Sequence, residues 1–277
     1  MLSYRHGFHA GNHADVLKHW VQVLCLQYLK QKEKPFFYID THAGGGLYDL
    51  TSPYAKKTSE AEQGIQCLWQ HAELPEVFED YMGVVKQFNS HRCKQYPGSP
   101  AIAAKLMRQE DKIRLIEMHG TETVALQKLF AKDRRVKIFE DDGFRQIKAL
   151  LPPATRRGLV MIDPSYEMKN DYQRVIGVLK ESVKRFANGM YLVWYPLINS
   201  VAAQRFSEQL EKLPCDTWLD VQLMVSRPPQ GHGMYGSGMF VINPPWILKQ
   251  QLEAGLEFLT TQMGLDESAQ GTVRSSE

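Results

Sequence analysis

The chain of 277 residues is 43% hydrophobic and 23% charged, the balance of an ordinary globular protein long enough to bury a substantial core. Its net charge of +2 carries no polycationic signature. Four scattered cysteines (Cys25, Cys67, Cys93, Cys215) without a Cys-x-x-Cys pair argue against a disulfide framework or a cysteine zinc site and for a reducing, cytoplasmic setting.

The amino terminus has no apolar signal region. Residues 1–13 form a polar, aromatic, histidine-rich arm, and Asn12 is placed to cap a helix with Asp15 as its capping-box acid. Leu17, Trp20, Val21, Leu24 and Tyr28 then recur at helical spacing, predicting an amphipathic helix that ends near Lys30. Its most apolar run, residues 20–29, is broken by Gln22 and Gln27 and too short for a bilayer, so no membrane association is expected. Lys18 and His19 fall in its first turns, in position to face a site near the helix start. Residues 35–40 read as the first core strand, and Thr41-His42-Ala43-Gly44-Gly45-Gly46 follows as a glycine-rich turn that lets backbone approach a ligand. The dinucleotide pattern fails there, because Asp49 stands where its third glycine belongs.

From residue 51 to 98 the pattern holds two helical segments, 60–71 and 75–89, with no strand between them, as expected of an inserted helical subdomain within one domain spanning residues 1–277. Ser99-Pro100 supplies a cap and a first-turn proline for a helix over 101–108, whose amino terminus suits an anion. Strands at 112–117, 136–140, 159–162 and 190–194 then alternate with helices at 121–132, 143–150, 171–186 and 201–213. Two successive strands, 218–225 and 238–243, flank the loop 227–236. A helix over 246–263 precedes a polar tail, 266–277, expected to fray. The basic pairs Arg134-Arg135, Arg156-Arg157 and Lys184-Arg185 read as solvated surface or a basic face.

This alternation predicts an α/β fold: a parallel, Rossmann-like sheet with helices on both faces and a late antiparallel strand. Ligands of such sheets bind beyond the carboxyl ends of the strands. Acids stand at or just after four of those ends: Asp40, Glu117, Asp142 and Asp163. The last opens Asp163-Pro164-Ser165-Tyr166, after the buried-type run 158–162. A carboxylate, peptide carbonyls and an aromatic face together suit an amino group on a planar ring, although Asp-Pro-Ser is also ordinary turn chemistry.

This order of parts resembles the class I S-adenosylmethionine-dependent methyltransferases. The glycine turn, Glu117, Asp142-Gly143 and Asp163–Tyr166 fall where that family has its glycine loop, its two cofactor acids and its D/N-P-P-Y/F/W motif. The stretches 2–6, 8–19, 40–44, 96–100 and 243–246 extend the likeness over nearly the whole chain. They resemble the large-subunit ribosomal RNA methyltransferase J family, which methylates N6 of one adenine in 23S ribosomal RNA and carries a small helical insertion. The resemblance implies S-adenosylmethionine as cofactor, held by His19, His42, Ser99, Glu117, Asp142, Gly143 and Asp163. It implies Asp163 as proton acceptor, Tyr4, His6 and Lys18 near the substrate base, and Pro164 and Tyr166 against the adenine. It implies protein-free 23S RNA as partner; a monomer is expected. The family usually has proline where Ser165 stands.

Four histidines within the first 19 residues lack the companion spacing of a metal site, so none is expected. Two other readings compete. One is methylation of a protein glutamine side chain, another planar amide nitrogen. The other is an RNA- or nucleotide-binding module without catalysis. A nicotinamide enzyme ranks last, given the failed glycine pattern.

Overall fold

The computed structural model describes residues 5–168, 170–231 and 233–276. Its strands are β1 (Phe37–Asp40), β2 (Leu47–Asp49), β3 (Gln95–Pro97), β4 (Lys112–Glu117), β5 (Val136–Glu140), β6 (Gly158–Ile162), β7 (Met190–Ile198), β8 (Trp218–Met224), β9 (Met234–Ile242) and β10 (Gln270–Ser275). The α-helices are α1 (His13–Lys30), α2 (Pro53–Thr58), α3 (Ile65–Gln70), α4 (Glu79–Lys86), α5 (Ser99–Leu106), α6 (Gly120–Leu129), α7 (Gly143–Leu150), α8 (Asp171–Arg185), α9 (Val201–Gln204), α10 (Phe206–Glu211) and α11 (Leu248–Met263).

Eight strands form one sheet in the order β10-β8-β9-β7-β6-β1-β4-β5. β5, β4, β1, β6 and β7 are parallel, and β9 lies antiparallel between β7 and β8, as the sequence predicts for this fold class. The run 158–162 is apolar throughout because both of its faces are covered. Leu159 and Met161 enter the core shared with α1, α5 and α11, whereas Val160 and Ile162 enter the core beneath α7 and α8.

Four local expectations are corrected. The tail does not fray: β10 pairs antiparallel with β8, and Arg274 donates to buried Asp220 at 2.8 Å and reaches Glu211 at 2.8 Å. The predicted helix 201–213 is two short helices separated at Arg205. Ser99 does not cap its helix. Gly98 holds the cap position and the Ser99 hydroxyl turns inward to Asp40. Asn12 caps α1 as expected by accepting from the Asp15 amide, but Asp15 returns no capping-box bond to Asn12. Its carboxylate accepts instead from the Gly11 amide and from two side chains of the site described below.

The segment 51–98 contains α2, α3 and α4 with 3-10 turns between them, and its ends are drawn together by the β2–β3 pair. Its apolar residues Ile65, Leu68, Phe78 and Tyr81 join the same core as α1. Trp20 fastens the two, stacking on Phe78 at 4.5 Å and donating to the Val77 carbonyl at 2.8 Å.

Two of the basic pairs serve helix ends. Arg157 donates to the Leu29 carbonyl in the last turn of α1, and Arg135 donates to the Ala104 carbonyl of α5 at 2.8 Å. Both satisfy carbonyls that a helix terminus leaves open. Among the described residues no helix is long and apolar enough to cross a membrane.

Candidate active site

The carboxyl ends of β1, β4, β5 and β6 open into one cavity of ≈ 390 Å³, within the usual range of small-molecule sites. With the exception of Tyr4, which lies outside the described residues, every site residue expected from the sequence lines it.

On one side the glycine turn meets β4. Glu117 accepts from the Gly44 amide at 2.8 Å through Oε2 and from the His119 amide at 2.7 Å through Oε1. Gly44 has φ +60°, a conformation that glycine adopts without strain. Burial pushes the Glu117 carboxyl above its ordinary value, and the two amides only partly offset it. His42 lies edge-on to Phe144, ring centroids 4.9 Å apart, and burial lowers its pKa to about 4, so the ring is neutral.

Asp142 caps α7 by accepting from the Phe144 amide at 2.8 Å, and its second oxygen takes Arg174 at 2.5 Å. The Arg174 guanidinium also covers the Phe144 ring at 4.3 Å. Gly143 has a packing reason: a Cβ there would lie 2.0 Å from the Thr41 carbonyl oxygen, so only glycine lets α7 start against the turn after β1. The Ser99 hydroxyl donates to Asp40 at 2.7 Å, alongside Tyr38 at 2.8 Å. Asp40 is fully buried, and that burial pushes its carboxyl up to about 6 against the pull of those donors. It ties β1 to α5 behind the cavity wall.

The opposite side belongs to α1 and β6. Lys18 is 4% exposed and donates to Asp163 Oδ2 at 2.6 Å and lies 2.8 Å from Asp15 Oδ1. Asp15 is also met by His6 Nε2 at 2.8 Å. Burial opposes the Lys18 charge, but the two carboxylates outweigh it and hold the lysine above its ordinary pKa. Burial likewise opposes the Asp15 charge, and His6 and Lys18 outweigh it, holding that carboxyl well below the usual range. His19, kept neutral by burial, pairs with the Tyr96 hydroxyl at 2.6 Å.

Among the described residues nothing donates to Asp163 Oδ1 or to the Pro164 carbonyl. Tyr166 has φ +54°, an uncommon conformation for an aromatic residue. It is fixed there by its hydroxyl, which donates to the Trp194 carbonyl at 2.7 Å, and by Tyr172, whose ring centroid lies 4.6 Å away. The Ser165 amide finds no acceptor among the described residues, so proline there would remove no bond. Ser165→Pro is expected to leave methyl transfer unchanged and to stabilise the fold by about 0.4–1 kcal/mol through the unfolded chain. Thermal unfolding and a transfer assay check this, and a large fall in rate would place the Ser165 N–H or its mobility in the reaction.

The sequence reading missed Arg174, the role of Asp15 and the anchoring by Asp40. Arg174 follows Asp171 at i+3 on a helix, a spacing shared by many solvated pairs, so no local signal marks it. Among the described residues no cluster of three or more His, Cys, Asp or Glu is arranged to hold a metal.

The residues fit S-adenosylmethionine. Glu117 retains lone pairs for hydroxyl donors, and Phe144 and Met118 supply apolar surface. The amino terminus of α5, at the wall through Gly98 and Ser99, offers amides to a carboxylate. Among the described residues five carboxylates (Asp15, Glu117, Glu122, Asp142, Asp163) line the space against two cations, Lys18 and Arg174, which favours a positively charged ligand.

The family model described as Ribosomal RNA large subunit methyltransferase D, RlmJ, matches residues 33–276. Ribosomal RNA large subunit methyltransferase J of Escherichia coli (strain K12) is 48% identical over 264 residues, 95% of this chain and 94% of that protein. Its Haemophilus influenzae counterpart is 46% identical over 262 residues, 94% and 93% of the two chains. The crystal structure of a Legionella pneumophila protein superposes with a TM-score of 0.90 at 37% identity, covering 96% of this chain and 98% of that one. The chain belongs to the large-subunit ribosomal RNA methyltransferase J family.

Proposed function

We infer that this chain transfers a methyl group from S-adenosylmethionine to the N6 amino nitrogen of one adenine in 23S ribosomal RNA. The observation that carries the reading is a pair of acceptors on adjacent residues, Asp163 Oδ1 and the Pro164 carbonyl, which take no donor among the described residues and belong to residues lining the cavity where β6 ends. Two acceptors match the two N–H groups of one exocyclic amine.

The adenine amino group is a weak nucleophile because its lone pair is delocalised into the ring. Accepting both N–H bonds outside the ring's preferred geometry draws that lone pair out of conjugation. Lys18, bonded to Oδ2, fixes the carboxylate so that Oδ1 faces the substrate. As the amine is alkylated it becomes acidic, and Asp163 takes the proton. A positioned proton acceptor contributes about 10²–10⁴-fold. Tyr166, held from behind by Tyr172 and Trp194, offers a flat contact for the base. When bound, S-adenosylmethionine supplies the electrophilic methyl group. Glu117, His42, Ser99, Asp142 and Gly143 would hold it on the β1–β4–β5 side, with His19 and Asp163 at the boundary with the substrate space. The target base must be unpaired or flipped to reach Asp163. His6, through Asp15, sits beside that route, and Tyr4 is assigned to the same place by the family resemblance.

The segment 51–98 is read as an inserted helical subdomain within a single methyltransferase domain. A monomeric, cytoplasmic enzyme acting on protein-free RNA is the accompanying proposal.

The test is radiolabelled S-adenosylmethionine offered with unmodified 23S RNA, assembled large subunits and protein extract. Label is expected in naked RNA, recovered as N6-methyladenine. Label confined to protein would favour glutamine methylation, and cofactor binding without label would favour a non-catalytic module. Either outcome overturns the reading.

A further inference from the structure

We propose that Arg5, Phe8, Tyr54 and Lys57 form a stacking platform for the unpaired RNA nucleotides that flank the target adenine. The proposal rests on the RNA-methylating reading above and names a surface that the chemistry of transfer does not require.

Four side chains from two distant segments alternate cation, ring, ring, cation. The Arg5 guanidinium lies 5.8 Å from the Tyr54 ring centroid and donates to the Tyr54 hydroxyl at 3.3 Å. Tyr54 meets Phe8 edge-on at 5.0 Å. The Lys57 ammonium lies 5.9 Å from the Phe8 ring. The arm is fastened to α2 by Thr58, whose hydroxyl donates to the Phe8 carbonyl. Neither ring belongs to a hydrophobic core, and Tyr54 is 49% exposed. Burial therefore does not explain the array.

The surrounding charge favours a polyanion. Arg5, Lys56 and Lys57 are exposed. Glu60 is engaged by His9 at 2.9 Å and by Asn12 at 2.9 Å, whereas Asp49, bonded to the neutral Thr51 hydroxyl at 2.6 Å, and Glu62 keep their charge, so three exposed cations stand against two exposed acids in this stretch. Cations beside ring faces are the combination that holds single-stranded nucleic acid, with phosphates on the charges and bases on the rings.

The array also has the right address. His6 and His9, in the same short turn as Phe8, line the catalytic cavity. From His6 the contacts run through Asp15 and Lys18 to Asp163. A nucleotide whose base enters the cavity places its neighbours over this turn. A flipped or unpaired target leaves those neighbours free to stack.

The test uses the full chain with a 23S RNA fragment containing the target adenine, measuring methyl transfer and equilibrium RNA binding. Tyr54→Ala is expected to raise the RNA KM and Kd by roughly 5- to 100-fold, the loss of one stacked base. Its KM for S-adenosylmethionine, its kcat at saturating RNA and its thermal midpoint stay at wild-type values, and Tyr54→Phe restores RNA affinity. Lys57→Gln is expected to lower the slope of log binding constant against log salt by about one, the signature of a lost phosphate contact. Unchanged RNA binding in Tyr54→Ala, or an equal rise in the cofactor KM, overturns the platform. If the wild-type chain binds RNA but transfers no methyl group, the enzymatic reading fails while the binding comparison still decides the platform. Cross-linking of this face to a protein instead of RNA would also overturn it.

Discussion

Asp163→Asn loses methyl transfer by about 10³-fold or more while cofactor binding persists, because the substitution damages both jobs of the carboxylate. The side chain keeps its size and its place at the end of β6. Lys18 is a donor only, so it selects the amide oxygen of the new asparagine as its partner at the Oδ2 position. The amide NH₂ is then turned toward the substrate. A donor faces the adenine N–H, where the wild-type chain offers an acceptor. The amine loses one of its two anchors, and no group remains to take the proton. Glu117, His42 and the Asp142–Arg174 pair are untouched, so titration calorimetry with S-adenosylmethionine should still record binding, weakened only by the loss of the Asp163 charge at the edge of the cofactor space. Single-turnover transfer to 23S RNA checks the rate. A variant that retains wild-type kcat would remove Asp163 from the proton-transfer step and leave Pro164 and positioning as the whole mechanism.

Much of this site is legible in the sequence because its acids sit at strand ends. A strand end is marked locally, by an apolar run that stops at a carboxylate, and the parallel topology then carries Asp40, Glu117, Asp142 and Asp163 to one rim. The cap of α1 is equally local: Asn12 and Asp15 are three residues apart. What was not legible depends on distant partners. Lys18 and Asp163 are 145 residues apart, and from sequence alone Lys18 is an ordinary helix charge. Arg174 meets Asp142 across 32 residues. β10 lies in the polar stretch 266–277, which reads as a fraying tail because it holds few apolar residues. Its order comes from β8 and from the Arg274 pairs with Asp220 and Glu211, which no local pattern reveals. The Ser99 hydroxyl shows the same limit. A serine before proline reads as a helix cap, yet a buried carboxylate 59 residues away makes the stronger demand on it.

Lys18→Met should be costly in stability as well as in rate, and the two losses separate in a double mutant. The lysine stands between two carboxylates, with side-chain exposures of 6% for Lys18, 2% for Asp15 and 17% for Asp163. Removing the cation strands Asp15, whose remaining partners are His6 and the Gly11 amide, and leaves Asp163 without a charged partner. Breaking one member of a buried pair costs about 3–5 kcal/mol, because the survivor stays desolvated. Asp15 is held below its ordinary pKa, so it contributes stability above the unfolded carboxylate value that is lost as pH falls through the folded one. Without Lys18 that contribution shrinks, and the gap between wild type and variant should narrow toward acid pH. Asp15→Asn combined with Lys18→Met removes both charges and is expected to recover much of the lost stability. It does not recover transfer, since the Asp163 carboxylate still lacks the ammonium that aims Oδ1 at the substrate. Denaturant midpoints for the two single variants and the double give the coupling, and kcat on saturating RNA gives the second arm. Recovery of both stability and rate in the double mutant would show that Lys18 acts only by neutralising Asp15, and would take it out of the alignment of Asp163.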